Sequence, residues 1–288
     1  MRLLCIALLC LGANAQADTS LIGGRDALPG EYPEVVYISS GTSRCSATII
    51  GPRTILTAAH CISNGGEIRP ASFVINQTVY KAKCQHHPLY NSRYSYDFAL
   101  CKVDKKLDVA YASISSTGPA KSKLVTLMGY GCTQEGGTGG GNDGTLRVGN
   151  ARVIKVPDGK GSNDGQYYYT SDKSSLCPGD SGGPSMLLIK DAKTEHHYVS
   201  GVNSRGNFKD RSLLSSVFLP GFQDYARRFE REQGVEICGL SKDCDDGKDD
   251  SDKNDPLCEA ELANLYQLHA LAEGHLSKLK SCLVRQNY

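Results

Sequence analysis

The chain has 288 residues, enough to bury one large core or two smaller ones with an appendage. A formal charge of +1 offers no basic surface for nucleic acid or an anionic membrane. Gly is abundant at 31, Trp is absent and Tyr at 15 outnumbers Phe at 6, which favours a β-rich domain with many turns.

The first residues read as a targeting segment. Met1-Arg2 is a minimal basic start, Leu3 to Gly12 an apolar run, and Ala13 to Ala17 (ANAQA) offers small residues for a signal peptidase. Residues 1–17 are therefore expected to be a signal peptide and the protein to be exported, to an extracellular or periplasmic space. The apolar run is too short to anchor in a bilayer, and bulky Leu9 speaks against a lipoprotein start at Cys10. Without Cys5 and Cys10, the cysteines that remain are an even set of ten, which in an oxidising compartment reads as disulfides. A structural zinc site would use close C-x-x-C pairs, and these are missing.

From Leu21 to about Leu219 short β-like runs alternate with turn residues: EVVYIS, CSATII, TILTAA, FVINQTVYKAKC, FALCKV, KLVTLMGYG, ARVIKV, YYYTS, SMLLI, YVSGV and LLSSVFL. Many strands without intervening helices point to a barrel or sandwich. Gly136 to Asp143 is a flexible surface loop, and no internal sequence repeat is evident. Pro220 then opens PGFQDYARRFEREQG, a helical stretch that closes the domain. After Cys238 the character changes. Seven aspartates in the seventeen residues from Lys242 to Cys258 cannot form a core. A helical pattern follows, with Leu262, Leu265, Ala272, Leu276, Leu279 and Leu283 at three-four spacing behind an Asp255-Pro256 start. The expected division is a domain over 21–236 and an acidic and helical extension over 237–288.

The chemistry concentrates in SLCPGDSGGPSM, Ser175 to Met186. Its glycines exclude a helix or strand interior and hold Ser181 on a bare loop. A serine hydroxyl is a poor nucleophile without a base, and a base histidine needs a carboxylate to fix its tautomer. His60, in TAAHC after a β-like run, can supply the first. Asp97, at the mouth of the apolar strand in YSYDFALCKV, can supply the second, because a lone carboxylate there would be costly unless paired. Read singly, each has a plainer meaning: a satisfied core histidine, a structural ion pair, a tight turn.

Together, TAAHC, D-apolar-A-L and GDSGGP stand in the order found in the chymotrypsin-like (trypsin-fold) serine proteases, and the chain from Leu21 to about Gly234 resembles that family. LIGG, Leu21 to Gly24, is similar to the family's mature N-terminus, GYG, Gly129 to Gly131, to the start of its second barrel, and GVNSRG, Gly201 to Gly206, to the strand lining its cleft. The resemblance implies an all-β fold of two packed antiparallel six-stranded barrels with a C-terminal helix. It implies Ser181 as nucleophile, His60 as general base, Asp97 as its orienting acid, and the amides of Gly179 and Ser181 as the oxyanion hole. It also implies a zymogen in which residues 18–20 are a short propeptide and the freed Leu21 amine pairs with Asp180. The activating enzyme is open, since Ser20 is not a trypsin-like cleavage site. No cofactor is required. The expected partners are protein or peptide substrates and protein inhibitors, with no nucleic acid, no membrane and a monomeric state.

The same resemblance implies a Cys45–Cys61 bridge; Cys84–Cys101 is expected to link neighbouring strands, and Cys177, which lacks its usual family partner, is expected to pair with Cys132, just after GYG. The last four cysteines can pair in three ways. A straight helix would hold Cys258 and Cys282 about 36 Å apart, which disfavours that pair; of the two schemes left, Cys244–Cys258 around the acidic loop with Cys238–Cys282 is the expected one. For specificity the family's pocket floor falls at Ser175, six residues before Ser181, with Ser204, Gly206 and Ser212 around it. Serine offers no charge to a buried cation, so cleavage after apolar or aromatic residues is expected, with Asp210 as a rival cation site. Arg205 stands where the family commonly has tryptophan. In the tail, the acidic run resembles part of a low-density-lipoprotein-receptor class A repeat, which makes a calcium site at Asp245, Asp246, Asp249, Asp250 and Asp252 the alternative to a solvated linker. A non-catalytic relative is the competing reading of the domain. An acyl hydrolase is a third, although GDSGG is not the G-x-S-x-G elbow of the α/β-hydrolases.

Overall fold

The computed structural model describes residues 21–64, 66–90, 96–138, 143–159, 166–190, 194–241 and 244. The expected signal peptide and propeptide, the candidate calcium ligands Asp245 to Asp252 and the C-terminal helix lie outside the described residues, as do Cys258 and Cys282. The chain divides into two units, residues 1–188 with 197–244, and residues 189–196 with 245–288. Both barrels and the cleft belong to the first. Of the second, the structure describes residues 189–190 and 194–196, the ends of two strands.

Six strands close the first barrel: β1 (Val35–Ser40), β2 (Ser43–Gly51), β3 (Thr54–Thr57), β4 (Ala71–Ile75), β5 (Thr78–His86) and β6 (Ala99–Val103), in spatial order β1-β2-β3-β6-β5-β4. Six more form the second: β7 (Leu124–Gly129), β8 (Arg147–Lys155), β9 (Tyr167–Ser171), β10 (Pro184–Lys190), β11 (Glu195–Gly206) and β12 (Arg211–Ser216). Their order, β7-β8-β9-β12-β11-β10 with β10 returning to β7, repeats that of the first. One architecture is built twice from sequences that show no repeat. All these pairings are antiparallel, and closure leaves no free sheet edge in either barrel.

Alternation of apolar residues fills the two interiors. Ile38, Ala47, Ile49, Leu56, Leu100 and Val103 are buried in the first barrel, and Val125, Leu127, Ala151, Val153, Tyr168 and Leu214 in the second. The run FVINQTVYKAKC, expected as one strand, is a hairpin. Asn76 and Gln77 between β4 and β5 both take left-handed φ, at 47° and 64°, which is the two-residue turn that matches strand twist.

Helix α2 (Pro220–Gln233) begins with Pro at its first turn and ends at Gly234, whose φ of 60° and amide bond to Glu230 O form a left-handed cap. Phe222, Tyr225, Ala226 and Phe229, at helical spacing, are its buried stripe. Phe222 meets Phe98 edge-on at 4.9 Å and the Tyr225 hydroxyl donates to Gln85 O at 2.6 Å. The helix thus packs against the start of β6, where Asp97 sits. Each large side chain so buried stabilises by roughly 1.5–3 kcal/mol.

Disulfides join Cys45 to Cys61, Cys84 to Cys101 and Cys132 to Cys177. Cys84 and Cys101 face each other directly across β5 and β6. The tail differs from the sequence expectation. Cys238 is bonded to Cys244, in place of Cys238–Cys282 and Cys244–Cys258. Their Cα atoms lie 5.0 Å apart, inside bridging range, and only six positions separate them in the chain.

Candidate active site

Strand β3 delivers the chain into a single helical turn, α1 (Ala59–Ile62), that carries His60, and the Cys45–Cys61 bond ties this turn to β2. Asp97 precedes β6, after Tyr96 at φ 55°, and is only 2% exposed. Three donors satisfy it. The His60 backbone amide reaches Oδ1 at 3.0 Å, the His60 ring meets Oδ2 through Nδ1 at 2.8 Å, and the Ser204 hydroxyl donates to Oδ2 at 2.5 Å. Burial pushes the Asp97 carboxyl up, but the His60 charge and these bonds outweigh it and hold it below its ordinary value. For His60, burial pushes the imidazole down. The Asp97 charge and hydrogen bond prevail and raise it above its ordinary value, with Arg205 acting against them.

The Ser181 loop is fastened to the first barrel by one residue. Ser46 donates its amide to Ser181 O at 2.8 Å and its hydroxyl to Gly179 O at 2.9 Å, while that hydroxyl accepts the Tyr130 amide at 3.0 Å. Gly182 is obligatory here: its φ is 83°, and a Cβ would lie 2.1 Å from Thr57 Oγ1. With their carbonyls held, the amides of Gly179 and Ser181 donate to nothing among the described residues. Two such donors suit an oxygen that gains charge.

Asp180, between them, is fully buried. Its Oδ1 accepts the Gly131 amide and its Oδ2 the Cys177 amide, both at 2.8 Å. A Cβ on Gly129 or Gly131 would fall 2.4–2.5 Å from Asp180 side-chain atoms, so the glycines of GYG make room for this carboxylate. Burial pushes its pKa up to about 7, against the pull of those two amides and of Arg147. Leu21 is equally buried, among Val125, Leu127, Ala151 and Leu214.

The family model described as Trypsin matches residues 21–225, more than half of the chain. The chain belongs to the trypsin family. Among similar proteins, a trypsin-like protease of Streptomyces glaucescens is 28% identical over 227 residues, covering 72% of this chain and 81% of that protein. Serine protease SP24D of Anopheles gambiae is 30% identical over 187 residues, 58% of this chain and 67% of that one. Coagulation factor XII of Cavia porcellus is 27% identical over 241 residues; the match takes in 70% of this chain but only 39% of the length of that relative. As a trypsin-family protein the chain is a serine endopeptidase, a hydrolase of the zymogen-forming kind that acts on protein substrates and needs no cofactor.

The trypsin-family cleft has a volume of about 350 Å³ and brings together His60, Asp97, Ser181, Ser204 and Gly206. Sequence reasoning missed four of its walls: Tyr90, Leu176, Pro178 and Phe208. Two expected residues do not line it. Ser175 is fully buried, with its amide donating to Ile22 O and its hydroxyl without a partner among the described residues. Ser212 is also buried, its hydroxyl accepting the Leu176 amide at 3.0 Å. Leu176, between Ser175 and the catalytic loop in the chain, lines the cleft in their place. Ser204, expected as a substrate contact, spends its hydroxyl on Asp97. Asp210 is exposed and bonded to the Asn207 side chain, away from the cleft. Cys45, His60 and Cys61 bring potential ligand atoms within 4.8 Å of one another, but the two sulfurs are bonded together and are no metal ligands.

Proposed function

We propose that this chain is a secreted endopeptidase that works through an acyl-enzyme on Ser181 and cleaves after apolar or aromatic residues. The observation that carries the reading is His60, held on Asp97 by both its backbone and its ring, in the cleft that also contains Ser181. The Ser181 hydroxyl attacks the scissile carbonyl while the outer nitrogen of His60 takes its proton. The carbonyl electrons move to oxygen, which the Gly179 and Ser181 amides stabilise by roughly 2.7–4 kcal/mol per donor. His60 then returns the proton to the leaving amine, and water repeats the sequence on the ester.

Export rests on the apolar start at residues 1–17 and on the disulfides, which suit an oxidising space. Activation rests on Leu21 and Asp180, both fully buried. Cleavage after Ser20 would free an amine able to neutralise Asp180, whose burial disfavours its charge. Breaking a buried pair of this kind costs about 3–5 kcal/mol, enough to keep the uncut chain inactive. The specificity rests on Leu176, Pro178, Phe208 and Gly206, with no acid lining the cleft among the described residues besides the occupied Asp97.

A peptide-library digest by chain cut between Ser20 and Leu21 tests the reading, with Ser181→Ala as control. Cuts after Phe, Tyr or Leu, lost in the control, are expected. Efficient cleavage after Arg or Lys would overturn the specificity, and cleavage surviving in the control would overturn the nucleophile.

A further inference from the structure

Arg205 stands in the cleft wall of β11 at a break in the sheet register. Asn203 pairs with Leu214 but Arg205 with Leu213, so Ser204 is the extra residue of a bulge. The bulge lets neighbours that would alternate faces both reach the cleft: Ser204 turns in to Asp97, and Arg205 joins the same wall. Its guanidinium lies 5.5 Å from the Tyr167 ring centre and donates to the Tyr167 hydroxyl at 3.2 Å. Tyr167 is only 2% exposed, so this cation rests on a fixed platform.

Resting on the peptidase reading above, we infer that Arg205 selects substrates that carry an Asp or Glu side chain near the scissile bond. The charges of the cleft argue for it. Among the described residues, its lining holds the His60–Asp97 pair and Arg205, and no other charged side chain. Asp97 is closed off by three donors, so it does not compete for the guanidinium as an incoming acid would. A guanidinium is planar, always charged and carries five donors in a fork that fits a carboxylate with two parallel bonds. Leu176, Pro178 and Phe208 line the same cleft, and such apolar walls leave a charge pairing there less screened than one on an open surface. The charge of Arg205 already reaches across the cleft, since it opposes the pull of Asp97 on His60. A basic side chain in the same place would meet like charge.

The test uses full chain cut between Ser20 and Leu21, with active molecules counted by fluorophosphonate titration. Matched peptides share one cleavable apolar residue and carry Asp, Asn or Lys at each flanking position in turn. The expected result is at least one position where Asp exceeds Asn by roughly fivefold in kcat/KM at low salt, with Lys below Asn, and where added salt reduces the difference. The Asp-to-Asn ratio should fall to about one in Arg205→Gln and partly return in Arg205→Lys, a rescue that a mere stacking role would not give. Equal rates on Asp and Asn peptides at every position, or a preference that persists in Arg205→Gln, would overturn the inference while leaving the peptidase reading intact. Absence of both labelling and cleavage would overturn that reading, and this inference with it.

Discussion

The Ser204 hydroxyl donates to Asp97 Oδ2 at 2.5 Å, on the same oxygen that meets His60 Nδ1 at 2.8 Å. A hydrogen bond to a charged group is worth about 1.5–3 kcal/mol. Ser204→Ala should therefore lower kcat by roughly tenfold while the protein keeps its fold, because the carboxylate loses a bond that fixes its direction. Asp97→Asn should cost far more, roughly four orders of magnitude by analogy with the Ser-His-Asp template, since the amide favours the wrong tautomer of His60. Steady-state kinetics beside circular dichroism of both variants checks this. Equal losses would argue that Ser204 and Asp97 act as one indivisible unit.

The pH profile follows from His60. Only the neutral imidazole can take a proton, and its pKa is raised in this site by Asp97 against the opposing effect of burial. The acid limb of kcat/KM should therefore have its midpoint above the ordinary histidine value of about 6.5. A midpoint below that value, or a rate flat with pH while the fold holds, would contradict a His60 base.

Asp180 makes the opposite contribution to stability from that of a paired carboxylate. Its pKa is about 7 in the uncut chain, against about 3.9 when unfolded. Between those values the native state binds the extra proton, so stability falls as pH rises through the window, by up to about 4 kcal/mol. Asp180→Asn should remove that slope from uncut chain. Freeing the Leu21 amine should reverse the slope, because a buried cation would hold the carboxylate charged. Urea melts at pH 4.5 and 7.5 check both. An unchanged slope in Asp180→Asn would mean that other groups cause it.

Local signals carried much of this protein. GDSGGP, TAAHC and the Asp97 run named the residues that the fold gathers into one cleft, because loop glycines and the strand-end histidine and acid are set by short-range chemistry. Much of what escaped was set by distant chain segments. Tyr90 and Phe208 lie far along the chain from Ser181 and reach the cleft only through the fold, while Leu176 and Pro178 stand in the Ser181 run with nothing in the sequence to mark which of its side chains face the cleft. Ser204 looked like a wall residue because the bulge that turns its hydroxyl to Asp97 has no sequence mark. The turn at Asn76-Gln77 was hidden because glutamine is an unusual residue at left-handed φ. The Cys238–Cys244 bond was missed because disfavouring Cys258–Cys282 across a straight helix also removed its complement.

Cys132–Cys177 braces the wall next to Asp180. It closes a span of 45 residues, and Cys177 donates to Asp180 Oδ2 while Cys132 donates to Pro178 O at 2.9 Å. Replacing both cysteines by Ala should cost roughly 2–4 kcal/mol. It should also lower kcat beyond any effect of global unfolding, since the bond anchors the loop that presents the Gly179 amide. Chemical denaturation together with kinetics at low temperature separates the two effects. A stability loss with kcat unchanged would confine the bond to a structural role.

The most direct test of the account is covalent labelling of the nucleophile. Chain cut between Ser20 and Leu21 is treated with a fluorophosphonate at neutral pH, digested and read by mass spectrometry. The expected result is one adduct per molecule, on Ser181, formed far more slowly in His60→Ala and in uncut chain. An adduct on another residue, or none on folded and cut chain, would contradict the claim that Ser181, His60 and Asp97 form a working catalytic site.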